Sequence, residues 1–358
     1  MPTSHLVRMI DFQAEACGEL GSALYEALLT RVARDVREGG VCARALEGYE
    51  QAPGPDAVAL RLMGGVHALV LSGRAPALAR HYPSAGGVFD PARVEAVWAA
   101  FRSALAADMA EVREWMTRPP QTNEVGRANL LLAGTLHAAA RRPMPVRLFE
   151  IGSSAGLNLR ADRFRLSAPG LSWGAPDAPV HLGDGWRAPV PDWLLTAARR
   201  TPDLRVVERA GCDPDPIDPR SPEGALALRA YVWPDQEARR ERLEGALRLA
   251  CRVPAPVSRA GAADFLADVR LLPGTLTVVW HSVVRQYVPA ADWARVEEEL
   301  TRLGEAAGPD AGFAHVAFEP RRVADTRPFR LSVRVDGGHE EMLAEAHPHG
   351  LPAHGLPH

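Results

Sequence analysis

A run of small residues follows the largely apolar stretch 146–151 and precedes a segment that is compatible with a helix. Glu150, Gly152, Ser154 and Gly156 stand at alternate positions here. This order predicts a strand, a loop and a helix start, where small residues let the main chain approach a ligand and free N–H groups face it. Glu150 would repel a phosphate but attract an ammonium or sulfonium group. The pattern therefore predicts a nucleotide-like ligand that carries positive charge.

Residues 150–156 resemble motif I of class I S-adenosylmethionine-dependent methyltransferases, in which an acid is followed by three glycines at alternate positions. Ser154 replaces the middle glycine, and serine cannot adopt every backbone conformation, so the loop is expected to depart from the family's usual path. The resemblance implies S-adenosylmethionine as the cofactor. The residues that it implies as the cofactor site are Glu150, Gly152, Ser153, Ser154, Gly156 and Asn158.

The same segment, 152–156, also spells G-x-S-x-G, which is the nucleophile elbow of α/β-hydrolases. Ser154 would then be a nucleophile, with Asp213 and His281 following in a possible triad order. Glu150 argues against this alternative because a nearby carboxylate opposes formation of an oxyanion. No upstream H-G-G segment is present to supply an oxyanion hole.

Two acids extend the methyltransferase resemblance. Asp213 follows an apolar stretch, so it can lie at the carboxyl edge of a sheet, where open α/β sheets bind ligands. It resembles the acid that accepts both ribose hydroxyls, and Asp264 resembles the acid near the adenine amine. The alternatives are a turn cap for Asp213 and a helix N-cap for Asp264.

His281 ends the apolar stretch 275–281, where methyltransferases place groups that face the substrate. Imidazole titrates near neutral pH, so His281 is the candidate general base, although a histidine at a strand end is often only a structural hydrogen-bond partner. Gln286 and Tyr287 follow on the next loop and are candidates for orienting a substrate.

A polar cluster precedes the helix predicted at about 124–142. Its residues either cap that helix or fold over the mouth of the site as a lid. They are Gln121, Asn123, Glu124 and Arg127.

Composition excludes several functions. All 41 basic residues are arginines, so a pyridoxal Schiff base and a P-loop ATPase lack the lysine they need. The net charge of −3 gives no reason to expect a nucleic-acid or membrane partner. The four cysteines form no C-x-x-C pair, and the C-terminal histidines lack a ligand spacing, so no metal is expected. The N-terminus resembles no secretory signal, and a cytoplasmic location is expected.

The chain changes texture near residue 143. Before it, apolar positions at helical spacing predict helices within 6–38, 57–81 and 91–117. After it, short apolar runs between helical segments predict a mostly parallel α/β sheet with helices on both faces. The predicted strands are 146–151, 204–210, 256–260, 275–281, 313–319, 329–335 and 339–346, the last two antiparallel. A Pro/Gly/Trp-rich insertion at 167–192 predicts a hairpin or lid.

Several short motifs together resemble an uncharacterised bacterial family, domain-of-unknown-function family 2332, over about residues 5–350. The resemblance implies a methyltransferase-like core behind a helical N-terminal extension, and it implies no substrate. The motifs are QTNE at 121–124, EIGSSAGLN at 150–158, GCDPDPID at 211–218, WPDQ at 233–236, WHS at 280–282 and HPHG at 347–350.

We therefore expect a helical region at 1–143, a Rossmann-like class I methyltransferase domain at 144–350 and a disordered tail at 351–358. The expected function is methyl transfer from S-adenosylmethionine to an unidentified small molecule. The alternatives are a serine hydrolase that uses Ser154 and a non-catalytic protein that binds an adenosyl ligand. The acceptor and the oligomeric state do not follow from the sequence.

Overall fold

The structure, a computed structural model, describes residues 2–357 except for the side chains at positions 2–4 and 55. Its contacts divide the chain into two compact units. One comprises residues 1–122 and 221–241, and the other comprises residues 123–220 and 242–358. The helix predicted before residue 143 therefore groups with the sheet rather than with the N-terminal helices.

The first unit is helical, which confirms the predicted N-terminal helical region. Apolar side chains at helical spacing bury one face of each helix, and Val97, Phe101 and Leu105 are fully buried. Gly21, with φ +83°, separates the first two helices. The helices are α1 (Pro2–Glu19), α2 (Ala23–Arg37), α3 (Val41–Ala45), α4 (Val58–Leu71), α5 (Pro76–Ala79), α6 (Val94–Ala107), α7 (Met109–Met116) and, later in the chain, Pro222–Ala230.

The second unit contains an eight-stranded sheet and a small three-stranded sheet. The strands, in chain order, are β1 (Val146–Ile151), β2 (Arg165–Ala168), β3 (Leu171–Trp173), β4 (His181–Leu182), β5 (Val206–Asp213), β6 (Val257–Arg259), β7 (Thr275–Ser282), β8 (Ala311–Pro320), β9 (Phe329–Val335), β10 (Glu341–Ala346) and β11 (Ala353–Gly355). The helices of this unit are α8 (Ala128–Arg141), α9 (Asp192–Arg200), α12 (Ala262–Ala267) and α13 (Ala290–Glu305). In chain order, α10 is the Pro222–Ala230 helix of the first unit, and α11 (Glu237–Ala250) crosses the boundary between the units.

The large sheet has the strand order β11-β10-β9-β8-β7-β1-β5-β6. The strands from β6 to β8 are parallel, and β9, β10 and β11 add antiparallel pairs at one end. The predicted mostly parallel α/β sheet and its antiparallel end are thus confirmed. The chain runs outward from β1 through β5 to β6 and then returns to β7 on the other side of β1. The gap above the carboxyl ends of β1 and β7 is therefore the topological switch point, where sheets of this kind bind ligands.

Helices cover both faces of this sheet. Side chains alternate between the faces along each strand, and Glu150 pairs in register with Trp280, which pairs with Val316. These three residues share the face on which α8 packs, because Gly134 of α8 lies against Val316. The opposite face carries Phe149 and is covered by α12 and α13.

Two segments outside the parallel part of the large sheet, 167–192 and 351–358, also form strands. The insertion at 167–192 does contain a hairpin, β2 with β3, and β4 pairs parallel to β2 in the same small sheet. Residues 351–358, expected to be a disordered tail, instead include the strand β11. Ala353 pairs with Ala346 and also donates its N–H to the carbonyl of Gly185, so these backbone groups are held on two sides. Residue 358 lies outside the described residues.

Among the described residues, no helix combines the length and the apolar composition needed to cross a membrane.

Candidate functional site

Glu150 is buried at the carboxyl end of the central strand β1, with 3% of its surface exposed. Burial raises the pKa of its carboxyl well above the ordinary value, because the charged form loses its hydration. The indole of Trp280 and the guanidinium of Arg160 oppose this shift. The indole N–H of Trp280 lies close enough to influence this carboxyl but not in hydrogen-bond geometry, so Glu150 Oε2 and Trp280 Nε1 are both buried and unsatisfied. A buried acceptor without a donor at a switch point requires an explanation, and a bound cation is one.

The loop after β1 adopts the positive-φ conformations that its glycines predict. Gly152 and Gly156 have φ of +67° and +64°, a region that glycine enters without strain. A Cβ at Gly152 would overlap the side chain of Val284, and a Cβ at Gly156 would lie 2.7 Å from Val257. Both positions therefore need glycine for conformation and for space.

The segment after this loop differs from the predicted α-helix start. Residues Leu157–Arg163 form a 3₁₀ helix that is kinked at Arg160. The Leu157 N–H donates to Asn123 Oδ1 at 2.8 Å, so this N–H does not face a ligand. Arg160 donates to the carbonyls of Gly156 and Val253, at 2.7 Å each, and these tertiary bonds favour the tighter turn.

Asp213 ends β5 next to the loop, as predicted. Its Oδ2 accepts the N–H of Ser154 at 2.8 Å, and its Oδ1 accepts the N–H of Asp215 at 2.9 Å. The carboxylate therefore fixes the loop as well as its own turn. Each carboxylate oxygen has two lone pairs, so each can accept one more hydrogen bond from a ligand. The ribose contact stays a prediction.

Ser153 and Ser154 have different positions in the loop. Ser153 is fully buried, and its hydroxyl donates to the carbonyl of Glu150 at 2.7 Å. Ser154 has φ +52°, which is uncommon for a residue with a Cβ and is a form of stored backbone strain. The triad order suggested for Ser154 lacks its hydrogen bonds, because the two ring nitrogens of His281 contact Glu319 and His315.

The polar cluster before α8 divides between the two units. Gln121 belongs to the first unit, and the other three belong to the second. Asn123 caps Leu157, as described above. Glu124 caps the 3₁₀ turn Val125–Arg127 by accepting the Gly126 N–H, and its carbonyl accepts Asn158 Nδ2 at 3.3 Å. Arg127 donates to the carbonyl of Pro348 at 3.0 Å. Three of the four residues thus support loops, and a lid role stays a prediction.

Asn158 is buried beside this cluster, and its Oδ1 has no hydrogen-bond partner. It is the second buried acceptor without a donor in the nine residues from Glu150 to Asn158.

Three predicted residues lie at the surface. Asp264 stands in the first turn of α12 and is exposed, with an ion pair to Arg295 at 2.6 Å. Asp264 is not the N-cap of that helix, because Gly261 occupies the N-cap position. Gln286 and Tyr287 lie in the 3₁₀ turn Arg285–Tyr287, and Tyr287 is 64% exposed.

His281 is buried on the α13 face of the sheet, opposite to the face of Glu150. Its Nδ1 lies 2.8 Å from Glu319 Oε1, and its Nε2 lies 3.0 Å from His315 Nε2. Because a carboxylate only accepts, His281 Nδ1 carries a proton. Burial would raise the pKa of Glu319, but the hydrogen bonds from His281, Val284 and Arg285 lower it below its ordinary value. The sequence singled out neither Glu319 nor His315, although both are polar residues in a predicted buried strand.

These histidines line a cavity of about 260 Å³ beside α13. Burial, and then the positive potential of His281, Arg334 and Arg321, lower the pKa of His315 well below its usual value. His315 is therefore neutral at physiological pH. Among the described residues, no group of three histidine, cysteine, aspartate or glutamate side chains is arranged to hold a metal ion.

A family model described as "Uncharacterized protein conserved in bacteria (DUF2332)" matches residues 7–354. No curated protein matches the chain, and no solved structure matches it.

Proposed function

We propose that this chain, which belongs to the uncharacterised bacterial family matched over residues 7–354, binds S-adenosylmethionine beside β1 and transfers its methyl group to a small molecule. The observation that carries the proposal is Glu150 Oε2, a buried acceptor without a donor at the switch point of the sheet. An ammonium group would supply both the missing hydrogen bond and a positive charge, and a sulfonium group would supply the charge alone. A phosphate group would be repelled by the same carboxylate.

The surrounding loop fits such a ligand. Gly152 and Gly156 give the loop its positive-φ path around the end of β1, although Val284 and Val257 fill the space that side chains at these positions would take. Asp213 lies at the end of the next strand and retains acceptor capacity for ribose hydroxyls. Asn158 offers a second buried acceptor. Asp264 adds nothing to this proposal, because its carboxylate is exposed and paired with Arg295.

When bound, the cofactor supplies an electrophilic methyl group on sulfur. The task of the chain is then to position an acceptor and to remove its proton. We assign the removal of this proton to the pair of His281 and His315, because their Nε2 atoms lie 3.0 Å apart and Glu319 orients His281 through Nδ1. These residues lie on the other face of the sheet from Glu150, but Val284 joins the two regions. Its side chain covers Gly152, and its N–H donates to Glu319 at 2.8 Å.

One observation favours the serine hydrolase alternative, namely the positive φ of Ser154, because nucleophile elbows hold their serine in strained backbone. Asp213 bonds to the backbone of Ser154, however, and the ring nitrogens of His281 are engaged elsewhere. A non-catalytic adenosyl-binding protein would keep the Glu150 loop and would need no acceptor pocket.

The test is calorimetric titration of the full chain with S-adenosylmethionine, S-adenosylhomocysteine and NAD. We expect the first two to bind and NAD not to bind. Glu150→Gln should weaken binding, and Glu298→Gln, the same change at an exposed position on α13, should not. If folded protein binds neither adenosyl ligand at millimolar concentration, the proposal is wrong.

A further inference from the structure

The cavity beside α13 is lined by both polar and apolar side chains. It has a volume of about 260 Å³ and lies over the ends of β7, β8 and β9, where α13 covers the sheet. The sheet contributes Arg334, which pairs in register with His315, and Glu319, four residues further along β8. Arg321 follows β8, and Trp293, Leu300 and Pro320 are apolar members of the lining. Polar side chains outnumber apolar ones in this lining, so it favours a ligand that carries charge or hydrogen-bonding groups.

One arginine of this cavity has no direct partner. Glu319 is bonded to His281, Glu340 pairs with Arg321 at 2.5 Å, and Glu297 lies 3.7 Å from Arg285. Arg334 lines the cavity, and no hydrogen bond or ion pair joins it to any other residue that the structure describes. The guanidinium of Arg334 therefore keeps its hydrogen-bond donors for a ligand that presents an acceptor.

Two buried atoms of the cavity residues also lack hydrogen-bond partners. They are Arg321 Nε, a donor, and Glu319 Oε2, an acceptor on a side chain that is only 4% exposed. Glu319 Oε1, in contrast, is bonded to His281 and to the N–H of Val284. A ligand that satisfies both atoms must present an acceptor at one end and an O–H or N–H donor at the other.

The aromatic residues of the lining indicate what kind of ligand fits the cavity. The Trp293 ring stands edge-on to His281, with 5.3 Å between ring centroids, and His315 stacks on His281 at 5.1 Å. Three neighbouring rings in the cavity lining favour a ligand that contains an aromatic ring, since ring pairs gain energy beyond the apolar area that they bury.

We infer that this cavity is the acceptor pocket of the proposed methyltransferase and that it takes a small aromatic hydroxy acid. The carboxylate of the ligand would bind Arg334 and Arg321 Nε, and its hydroxyl would donate to Glu319 Oε2. Guanidinium groups match the geometry of a carboxylate. The assignment as acceptor pocket rests on the proposed function, and Val284 is the structural reason for it, because this residue contacts both the cofactor loop and Glu319.

The test uses the full chain and three sets of probes in calorimetric titrations. The probes are the three hydroxybenzoate isomers, benzoate, which lacks the donor, and the hydroxybenzamides, which lack the charge. We expect at least one hydroxybenzoate to bind roughly 10- to 100-fold more tightly than benzoate and its own amide, since each loses one charged or buried hydrogen bond. Arg334→Gln should remove the preference over the amide. Arg322→Gln, an exposed arginine outside the cavity, is the matched control and should keep it.

The same samples are titrated with S-adenosylhomocysteine, so that two failures can be told apart. If this ligand binds but no hydroxybenzoate does, or if Arg334→Gln leaves the preference intact in folded protein, the pocket inference is overturned and the proposed function stands. If a hydroxybenzoate binds and S-adenosylhomocysteine does not, the acceptor role is overturned together with the proposed function.

Discussion

Glu150 gives the strongest prediction, because a cation binds the charged form of a carboxyl whose pKa is raised by burial. Burial raises the pKa of this carboxyl well above its usual value, so the free protein keeps a proton there to a higher pH than an ordinary glutamate does. An ammonium group binds the carboxylate form. Binding should therefore release a proton, and a higher pH should favour binding. Arg160 favours the charged form and Asp213 opposes it, and both remain in place in the variant described below.

The size of the effect follows from linkage. Below the pKa of Glu150 in the free protein, affinity should rise about tenfold for each pH unit, which is about 1.4 kcal/mol. The useful range ends near pH 7.5, because an α-amino group loses its own proton above about pH 7.7. From pH 5.5 upward the affinity for S-adenosylhomocysteine should thus increase until the pH passes the raised pKa of Glu150. Glu150→Gln mimics the protonated acid and should bind roughly 10- to 100-fold more weakly at pH 7.5, with little dependence on pH.

The assay is isothermal titration calorimetry in phosphate and in Tris buffer, which have different ionisation enthalpies. The difference between the two observed enthalpies reports the protons released, and at acidic pH we expect wild type to release more protons than Glu150→Gln. Histidines that titrate in this range affect both proteins equally, so the difference between them isolates Glu150. Equal affinity and equal proton release in the two proteins would show that Glu150 does not contact the ligand.

Four further predictions concern the loop and the core. Gly152→Ala should lower the free energy of unfolding by about 1–3 kcal/mol, and Val284→Ala should recover part of the loss in chemical denaturation, because Val284 occupies the space of the new Cβ. Asp213→Ala should weaken S-adenosylhomocysteine binding and also cost about 1–2 kcal/mol of stability, because two backbone N–H groups lose their acceptor; unchanged stability would contradict the hydrogen bonds described. Wild type should resist a fluorophosphonate probe, and Ser154→Gly should keep ligand binding; labelling of wild type that Ser154→Gly abolishes would establish a hydrolase. Burial lowers the pKa of His67 to about 4, so wild type should lose stability as the pH falls from about 6.5 towards 4, and His67→Gln should lose less over that range in thermal melts.

Much of the fold could be predicted because local patterns determine it. Short apolar runs become strands when both of their faces are covered, and β1 and β7 are buried along almost their whole length. Helical spacing likewise predicts the buried faces of α2 and α6. The 3₁₀ turn after Gly156 is harder to predict from the sequence. The hydrogen bonds that favour it join Leu157 to Asn123 and Arg160 to Val253, which are distant in the chain. Local propensity carries no information about such partners.

The candidate site shows the same limit. His281 and Asp213 could be singled out because each ends a predicted strand next to a loop. Glu319 also ends a predicted strand, and it was missed because its importance depends on the register between β7 and β8. That register places His281 opposite Ala317 and so brings Glu319, two residues further on the same face, within reach of the imidazole. Pairing across a sheet is set by tertiary packing, and a single sequence does not display it.

Val284 decides whether the two regions can act together. Residues on opposite faces of a sheet do not meet through it, so Glu150 and His281 can contribute to one reaction only above the carboxyl edge. At that edge the chain leaves β7 and places Val284 against Gly152, while its N–H and that of Arg285 bind Glu319. A ligand that moved the Gly152 loop would therefore displace Val284, and with it a donor to the carboxylate that orients His281. Hence a ligand at Glu150 should alter the environment of His281, whereas two independent sites would leave it unchanged.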